Sequence, residues 1–536
     1  MIEVPAFASI DLTTSPPCIE IPRRHNATTH FVDRHVLQGR GSRVAFIHDR
    51  GRTTYEELAA RVAQAGHSLR ACGVRRERRV ALCVKDTIDF PTAFWGAIKI
   101  GAVPVPLNTL LTTEDYAYML RDSRACALVV SADLYPKIAP ALAGLEELSC
   151  VLVAGPGEAH GHPRLDEVLE KQPSQLEAAD TTCDDVAFWL YSSGSTGAPK
   201  GAMHLQSSLL QTAGLYGQGV LGIHEDDVMF SAAKLFFAYG LGNGMTFPMH
   251  VGATAVLYPE RPTSVAVRGV LRDHRPTLFG GVPTLYAAIL ADPELDPSCE
   301  GQFLRGCISA GEALPADISE RWSDSFGVDI LDGLGSTEML HIFLSNRFGD
   351  VRYGTSGKPV PGYELRVVDE SGRDVARGEL GELLVSGPSA AVGYWNQRQR
   401  SLTTFHGPWT RTGDKYFVDD DGYFHYAGRA DDMLKVSGIW VSPFEVEACL
   451  VAHRLVLEAA VVGLEDGDRL VKPKAFVVLR EAQTASLELE AELKAWVKSR
   501  LAPHKYPRWI EFIEALPKTA TGKVQRYKLR AGARPT

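Results

Sequence analysis

Along the segment 55–74, "YEELAARVAQAGHSLRACGV", the apolar residues Leu58, Val62, Ala65 and Leu69 recur every three or four positions, which predicts one buried face of an α-helix. Downstream, "RRVALCV" reads as a strand, "FPTAFWGAIKIG" as a helix and "AVPVPLN" as a strand. Strand patterns recur in "ACALVVSA" and "CVLVAG". Such alternation builds α/β layers on largely parallel sheets. From about 354 to 428 the period changes, and "YELRVVDESGRDVARGELGELLVSG" and "DKYFVDDDGYFHYAG" become short strands broken by Gly and Asp turns. That is the pattern of an antiparallel β subdomain. Beyond "GRADDMLK" helix and strand patterns return in "SPFEVEACLVAH", "LEAAVVGLED", "PKAFVVL" and "LELEAELKAWVKSRL", enough for a small α+β domain. The expected division is 1–430 and 431–536, with no internal repeat or low-complexity tract.

Length supports that division, because single hydrophobic cores stop growing near about 250–300 residues and this chain has 536. Its 56 Lys and Arg against 65 Asp and Glu leave a net charge of −9, which argues against a nucleic-acid partner. Nine cysteines lie scattered without CxxC or Cys/His clusters, as reduced thiols in a cytoplasmic protein do. The N-terminal residues lack the basic and apolar regions of a secretion signal. The charge-free run 235–259 is interrupted by Gly, Pro, Asn, Thr and His, so it reads as a buried or site-lining segment, not a membrane span.

Chemistry enters at 188–204, "FWLYSSGSTGAPKGAMH", where an apolar strand runs into a loop of Ser192, Ser193, Gly194, Ser195, Thr196 and Gly197 that closes on Lys200. Backbone N–H groups, hydroxyls and one cation suit a polyphosphate. The loop is not of the Walker A type: Pro199 stands where the second Gly belongs and no Ser or Thr follows Lys200, which disfavours ordinary P-loop phosphoryl transfer.

This loop resembles the signature of the acyl-adenylate-forming superfamily, which includes acyl- and aryl-CoA ligases, peptide-synthetase adenylation domains and firefly-type luciferases. Further motifs of that superfamily follow in its order: "SAGEALP" at 309–315, "DGLGSTEM" at 332–339, "RTGDKY" at 411–416, "GRADDMLKVSG" at 428–438 and "PKTATGKVQR" at 517–526. The resemblance implies a large N-terminal domain of layered α/β sheets plus an antiparallel β subdomain, followed by a small mobile C-terminal domain. It also implies two half-reactions: a carboxylate attacks the ATP α-phosphate to give an acyl adenylate, and the thiol of coenzyme A then displaces AMP.

On the same resemblance, Thr196 and Lys200 cradle phosphate, Glu338 holds Mg²⁺ beside Ser336 and Thr337, and Asp414 and Arg429 contact the ribose and nucleotide. Gly311, Glu312 and Ala313, with Asp332 and Gly333, border the adenine. Lys523 bridges the carboxylate and the α-phosphate, Asp431 is the hinge, and Lys435 and Gly438 line the thiol's passage. "AAKLFFAYGLGN" and "EMLHIFLSN" most resemble benzoate-CoA ligases. Phe237, Ala238, Tyr239, Gly240, His341 and Ile342 are then expected to form a flat apolar slot with two polar handles, Tyr239 and His341, for a small aromatic carboxylate. The alternatives are a 2-aminobenzoate or hydroxybenzoate-CoA ligase, or a stand-alone aryl adenylation enzyme that loads a carrier protein. From another class comes a noncatalytic nucleotide sensor. No membrane or nucleic-acid partner is expected.

Overall fold

The helix expected near the N-terminus runs Tyr55–Ala71, with Leu58, Val62, Ala65 and Leu69 all buried. Thr54 starts it: the Thr54 hydroxyl accepts from the Glu57 N–H, and the Glu57 carboxylate accepts from the Thr54 N–H at 2.7 Å. This is a computed structural model, and it describes residues 7–192, 198–430, 432–436, 439–466, 470–480, 485–502, 504–518 and 524–532.

Two parallel layers form the large N-terminal part. In the first, Val103–Pro106, Arg79–Cys83, Ala127–Ser131 and Cys150–Ala154 lie side by side, every pair parallel. In the second, the order Ile330–Gly335, Gly306–Ser309, Leu278–Gly281, Val228–Ser231, Thr254–Val256, Val44–His48 is parallel throughout, and antiparallel strands finish both edges. Continuous apolar strands such as "VALC" and "ALVV" suit sheets covered on both faces. The antiparallel subdomain consists of Glu364–Val368, Gly381–Ser386, Trp409–Val418, Phe405–His406 and Phe424–Arg429. The small C-terminal part sets Val456–Glu465 against Val471–Leu479 and Trp509–Phe512, packed by helices Pro443–Val451 and Leu487–Lys498. The expected α/β architecture is therefore the observed one.

Within the apolar run 235–259 the residues 238–251 form a largely buried helical segment, and the strand Thr254–Val256 follows it. Ala238–Leu241 and Phe247–Val251 are α-helical, and Gly242–Thr246 between them is a π-helical turn. Wide turns of this kind accommodate one extra residue inside a helix and turn its neighbours towards a site. Leu241, Met245, Phe247 and Met249 are buried in the main core. No helix among the described residues is long and apolar enough to cross a membrane.

Candidate active site

Strands Val228–Ser231, Leu278–Gly281, Gly306–Ser309 and Ile330–Gly335 all point the same way, and the segments carrying 235–243, 311–313 and 336–341 leave from their C-terminal ends. Open α/β sheets bind ligands at that end.

The Ser- and Gly-rich segment expected to take phosphate is flanked by two paired strands. Val186–Ser192 pairs antiparallel with Lys200–Leu205, and Ser192 stands directly opposite Lys200. Ser193, Gly194, Ser195, Thr196 and Gly197 lie outside the described residues. At the hairpin's base the Tyr394 hydroxyl donates to Glu338 Oε1 at 2.6 Å, and the Ser192 hydroxyl donates to the same oxygen at 3.3 Å. The Lys200 ammonium donates to the Tyr394 hydroxyl at 3.4 Å and lies 4.6 Å from its ring centroid. Burial pulls the Lys200 pKa below its usual value, and the Glu338 charge opposes that shift. Burial, reinforced by Glu338, pushes the Tyr394 phenol upward, so it stays a proton donor.

Glu338 is held by its backbone as well. It sits in the connection between Ile330–Gly335 and the antiparallel strand Ile342–Ser345. The Ala391 N–H donates to the Glu338 carbonyl at 2.7 Å, the Ser389 hydroxyl donates to the Met339 carbonyl at 2.7 Å, and Met339 N–H donates to the Ser336 hydroxyl at 3.2 Å. The buried His204 ring meets the Thr337 carbonyl at 2.8 Å. Burial drives the His204 pKa down to about 4, so the ring is neutral and its Nε2–H donates. Leu340 takes φ +67°, a left-handed conformation that a branched, buried side chain adopts only where its surroundings impose it.

The nucleotide residues fall into two groups. Gly311 has φ +95° and open space where a Cβ would stand, as expected of a backbone that a ligand approaches. Glu312 and Ala313 follow in the same turn, beyond Ser309, which is the register partner of Asp332. At Gly333 a Cβ would lie 2.9 Å from both Ile342 Cγ2 and Leu344 O, so the absence of a side chain makes room for the neighbouring strand. Asp332 is buried, its Oδ1 has no hydrogen-bond partner among the described residues, and burial raises its pKa well above the carboxylate range. In the antiparallel subdomain Asp414 and Arg429 face each other, and Arg429 Nη1 donates to Asp414 Oδ1 at 3.0 Å and to the Thr412 carbonyl at 2.9 Å. Lys435 lies in the strand Leu434–Val436, and Asp431, Gly438 and Lys523 fall outside the described residues.

The residues expected to form the acid slot are placed as follows. Phe237 precedes the helix and Ala238 and Tyr239 begin it, all three half-buried. Gly240 is required by the chain itself, because a Cβ there would lie 2.1 Å from the Lys234 carbonyl oxygen. Ile342 is buried in the core facing Gly333. The Tyr239 hydroxyl is no free handle: it reaches the Ile308 carbonyl at 2.8 Å and the Gly281 carbonyl at 3.0 Å, and its single proton is committed there. The His341 ring lies edge-on to Phe247 at 4.4 Å, with Tyr216 and Tyr239 at 5.4 and 5.7 Å. Burial lowers its pKa to about 3, so it is a neutral ring, and its Nδ1 has no partner among the described residues.

Sequence reading missed Tyr394 and gave His204 no role. His204 closes the quoted loop segment and could have been found there. Tyr394, in "GYW" at 393–395, meets Glu338 only through the fold.

Residues 33–395 match the AMP-binding enzyme family, and residues 445–523 match the AMP-binding enzyme C-terminal domain. The chain belongs to the AMP-binding enzyme family. A benzoate-CoA ligase of Thauera aromatica is 59% identical over 524 residues, covering 97% of this chain and 98% of that protein. The crystal structure of a benzoate CoA ligase from Burkholderia xenovorans LB400 has a TM-score of 0.89 at 52% identity, covering 94% of this chain and 100% of that one. An anthranilate CoA ligase solved in complex with anthranoyl-AMP has a TM-score of 0.92 at 43% identity, covering 95% of this chain and 98% of that one. The superfamily read from the motifs is thus the AMP-binding family's.

Proposed function

We propose that this AMP-binding enzyme is an ATP-dependent aryl-CoA ligase that activates benzoate or a close analogue as its adenylate and then forms the CoA thioester. The observation that carries this reading is the convergence, at one end of the parallel sheet, of the Ser192–Lys200–Tyr394–Glu338 cluster with the aromatic rings packed around the neutral His341 ring. The identity to a benzoate-CoA ligase over nearly the whole chain supports the same substrate class.

In this reading Lys200 and the loop Ser193–Gly197 take the polyphosphate, with the partly desolvated ammonium a stronger electrostatic partner than an exposed one. Asp414 accepts from the ribose hydroxyls while Arg429 holds that carboxylate in place. The donor set at Glu338 fits Mg²⁺, a cation that takes oxygen ligands: both hydrogen bonds described above end on Oε1, and Oε2 accepts none among the described residues. Such an ion, when bound, neutralises phosphate charge. Tyr394 acts through Glu338, fixing the carboxylate's rotamer. Phe237, Ala238 and His341 face the ring, the division at 430/431 separates the two catalytic parts, and free thiols at all nine cysteines agree with a cytoplasmic setting.

Tyr394→Phe removes one hydrogen bond to a charged group, about 1.5 kcal/mol or more. Adenylate formation should slow about tenfold, read as ATP–pyrophosphate exchange, with no matching fall in melting temperature. Carboxylate-dependent exchange over a panel of aryl and alkyl acids tests the whole reading. Within it, Ala238→Leu crowds the ring at a cost of about 1–3 kcal/mol, so benzoate specificity should fall roughly 5- to 150-fold while ATP affinity holds. Octanoate outrunning every aryl acid, or unchanged aryl selectivity in Ala238→Leu, would overturn the slot.

A further inference from the structure

Asn243 lies in the π-helical turn Gly242–Thr246 and is completely buried, yet neither Oδ1 nor Nδ2 has a hydrogen-bond partner among the described residues. A primary amide carries two donors and two acceptor sites, and burying it unpaired opposes folding at both ends. A side chain kept there against that cost calls for a partner that the polypeptide does not supply.

Its surroundings narrow the choice. Three polar atoms gather around the position a Cβ on Gly280 would occupy: Tyr239 OH at 3.4 Å, Asn243 Nδ2 at 3.5 Å and Ser231 Oγ at 3.6 Å. Two are committed, since the Tyr239 hydroxyl serves backbone carbonyls and the Ser231 hydroxyl donates to the Ala233 carbonyl at 3.1 Å. Asn243 alone of the three is open. It follows Gly242, on which the His341 ring lies so closely that a Cβ would stand 2.4 Å from His341 Cδ2. It also follows Tyr239 by four positions in the same helical segment. The amide therefore stands one residue beyond the glycine that packs on the His341 ring, whose Nδ1 is likewise unpartnered among the described residues.

We propose that Asn243 is a specificity-determining residue whose amide reads a hydroxyl group on the ring of the arylcarboxylate. The inference rests on the aryl-CoA ligase reading. A phenolic hydroxyl both donates and accepts, so it matches Oδ1 and Nδ2 together, whereas an unsubstituted ring leaves both unpaired. Sites built to hydrogen-bond a substrate hydroxyl discriminate strongly against the analogue that lacks it.

The test compares kcat/KM for benzoate, 3-hydroxybenzoate and 4-hydroxybenzoate, by ATP–pyrophosphate exchange, in the wild-type chain, Asn243→Leu and Asn243→Ala, together with melting temperatures. Leucine matches asparagine in branching and heavy-atom number, is bulkier, and has no polar atoms, so no protein hydrogen bond is lost and a fall in melting temperature confined to Asn243→Leu reports crowding, against which Asn243→Ala is the control. The ratio of the better hydroxybenzoate to benzoate should drop at least about tenfold in both variants. An unchanged ratio, a lowered melting temperature with all acids affected alike, or a wild-type protein that activates benzoate and neither hydroxybenzoate would each overturn the assignment. If the wild-type protein activated none of these acids, the ligase reading itself would fail, a result distinct from the others.

Discussion

Lys523→Ala is expected to slow adenylate formation by about 10²-fold or more, the scale seen when one preorganised charge or donor is removed from a transition state. The structure describes the flanks of its loop and shows what the neighbouring cations do. Lys518 pairs with Glu458 at 2.6 Å and bridges to Val524 across the loop, while Arg526 pairs with Glu447 at 2.8 Å. These residues anchor the loop's two ends to the small domain's sheet and helix. Lys523 lies between them in the sequence, and on the proposed reading it is the residue that meets the carboxylate and the α-phosphate. Thioester formation from supplied benzoyl adenylate should be largely spared, because that step begins after the α-phosphate has been attacked. Single-turnover assays of each half-reaction separate the outcomes, and an equal loss in both would make Lys523 structural.

Asp431→Pro is expected to leave adenylate formation close to normal and to lower the overall rate of CoA-thioester formation by about an order of magnitude or more, as when a conformational step becomes limiting. Proline fixes φ near −65° and removes an N–H. It would do so within a tight connection: Asp432 and Met433 N–H groups both donate to the Arg429 carbonyl at 3.0 Å, and Asp432 forms ion pairs with Arg526 and Arg530 from the small domain. A hinge at 431 would turn between these anchors. A folded Asp431→Pro enzyme with a normal thioester rate would show that the two half-reactions need no change of domain orientation at this residue.

Much of the fold was legible because its signals are local. The face of Tyr55–Ala71 and the parallel strands follow from spacing alone, and the Gly- and Asp-broken runs gave the antiparallel subdomain. The hairpin that ends at Ser192 and Lys200 and the Glu338 turn each carry one contiguous motif, while Asp414 and Arg429 come from two motifs that the antiparallel pairing brings together. What escaped depends on contacts between distant segments. Tyr394 reaches Glu338 across 56 positions, and the Tyr239 hydroxyl finds Ile308 across 69, so an apparent substrate handle turned out to be a structural bond. The purposes of Gly240 and Gly333 were equally hidden, since a sequence shows the missing side chain but not the carbonyl or strand that occupies its place. Nor does an apolar run such as 235–259 reveal that its middle widens into a π turn.

The hairpin formed by Ile330–Gly335 and Ile342–Ser345 carries Asp332, Glu338 and His341 on one short, stiff piece of chain. On the proposed reading, the wall of the acid site and the wall of the nucleotide site are therefore mechanically the same object, clamped from behind by His204, Ser389 and Ala391. A substitution on that hairpin that reshapes the acid site also shifts the carboxylate at the reaction centre, so altered acid preference gained there is coupled to lost turnover. The helical segment 237–246 meets that hairpin at His341, through the Tyr239 carbonyl and Gly242, and not at the Glu338 backbone, which Ala391 holds. Natural drift and laboratory selection for new aromatic acids should accumulate their changes on that segment and leave the hairpin untouched.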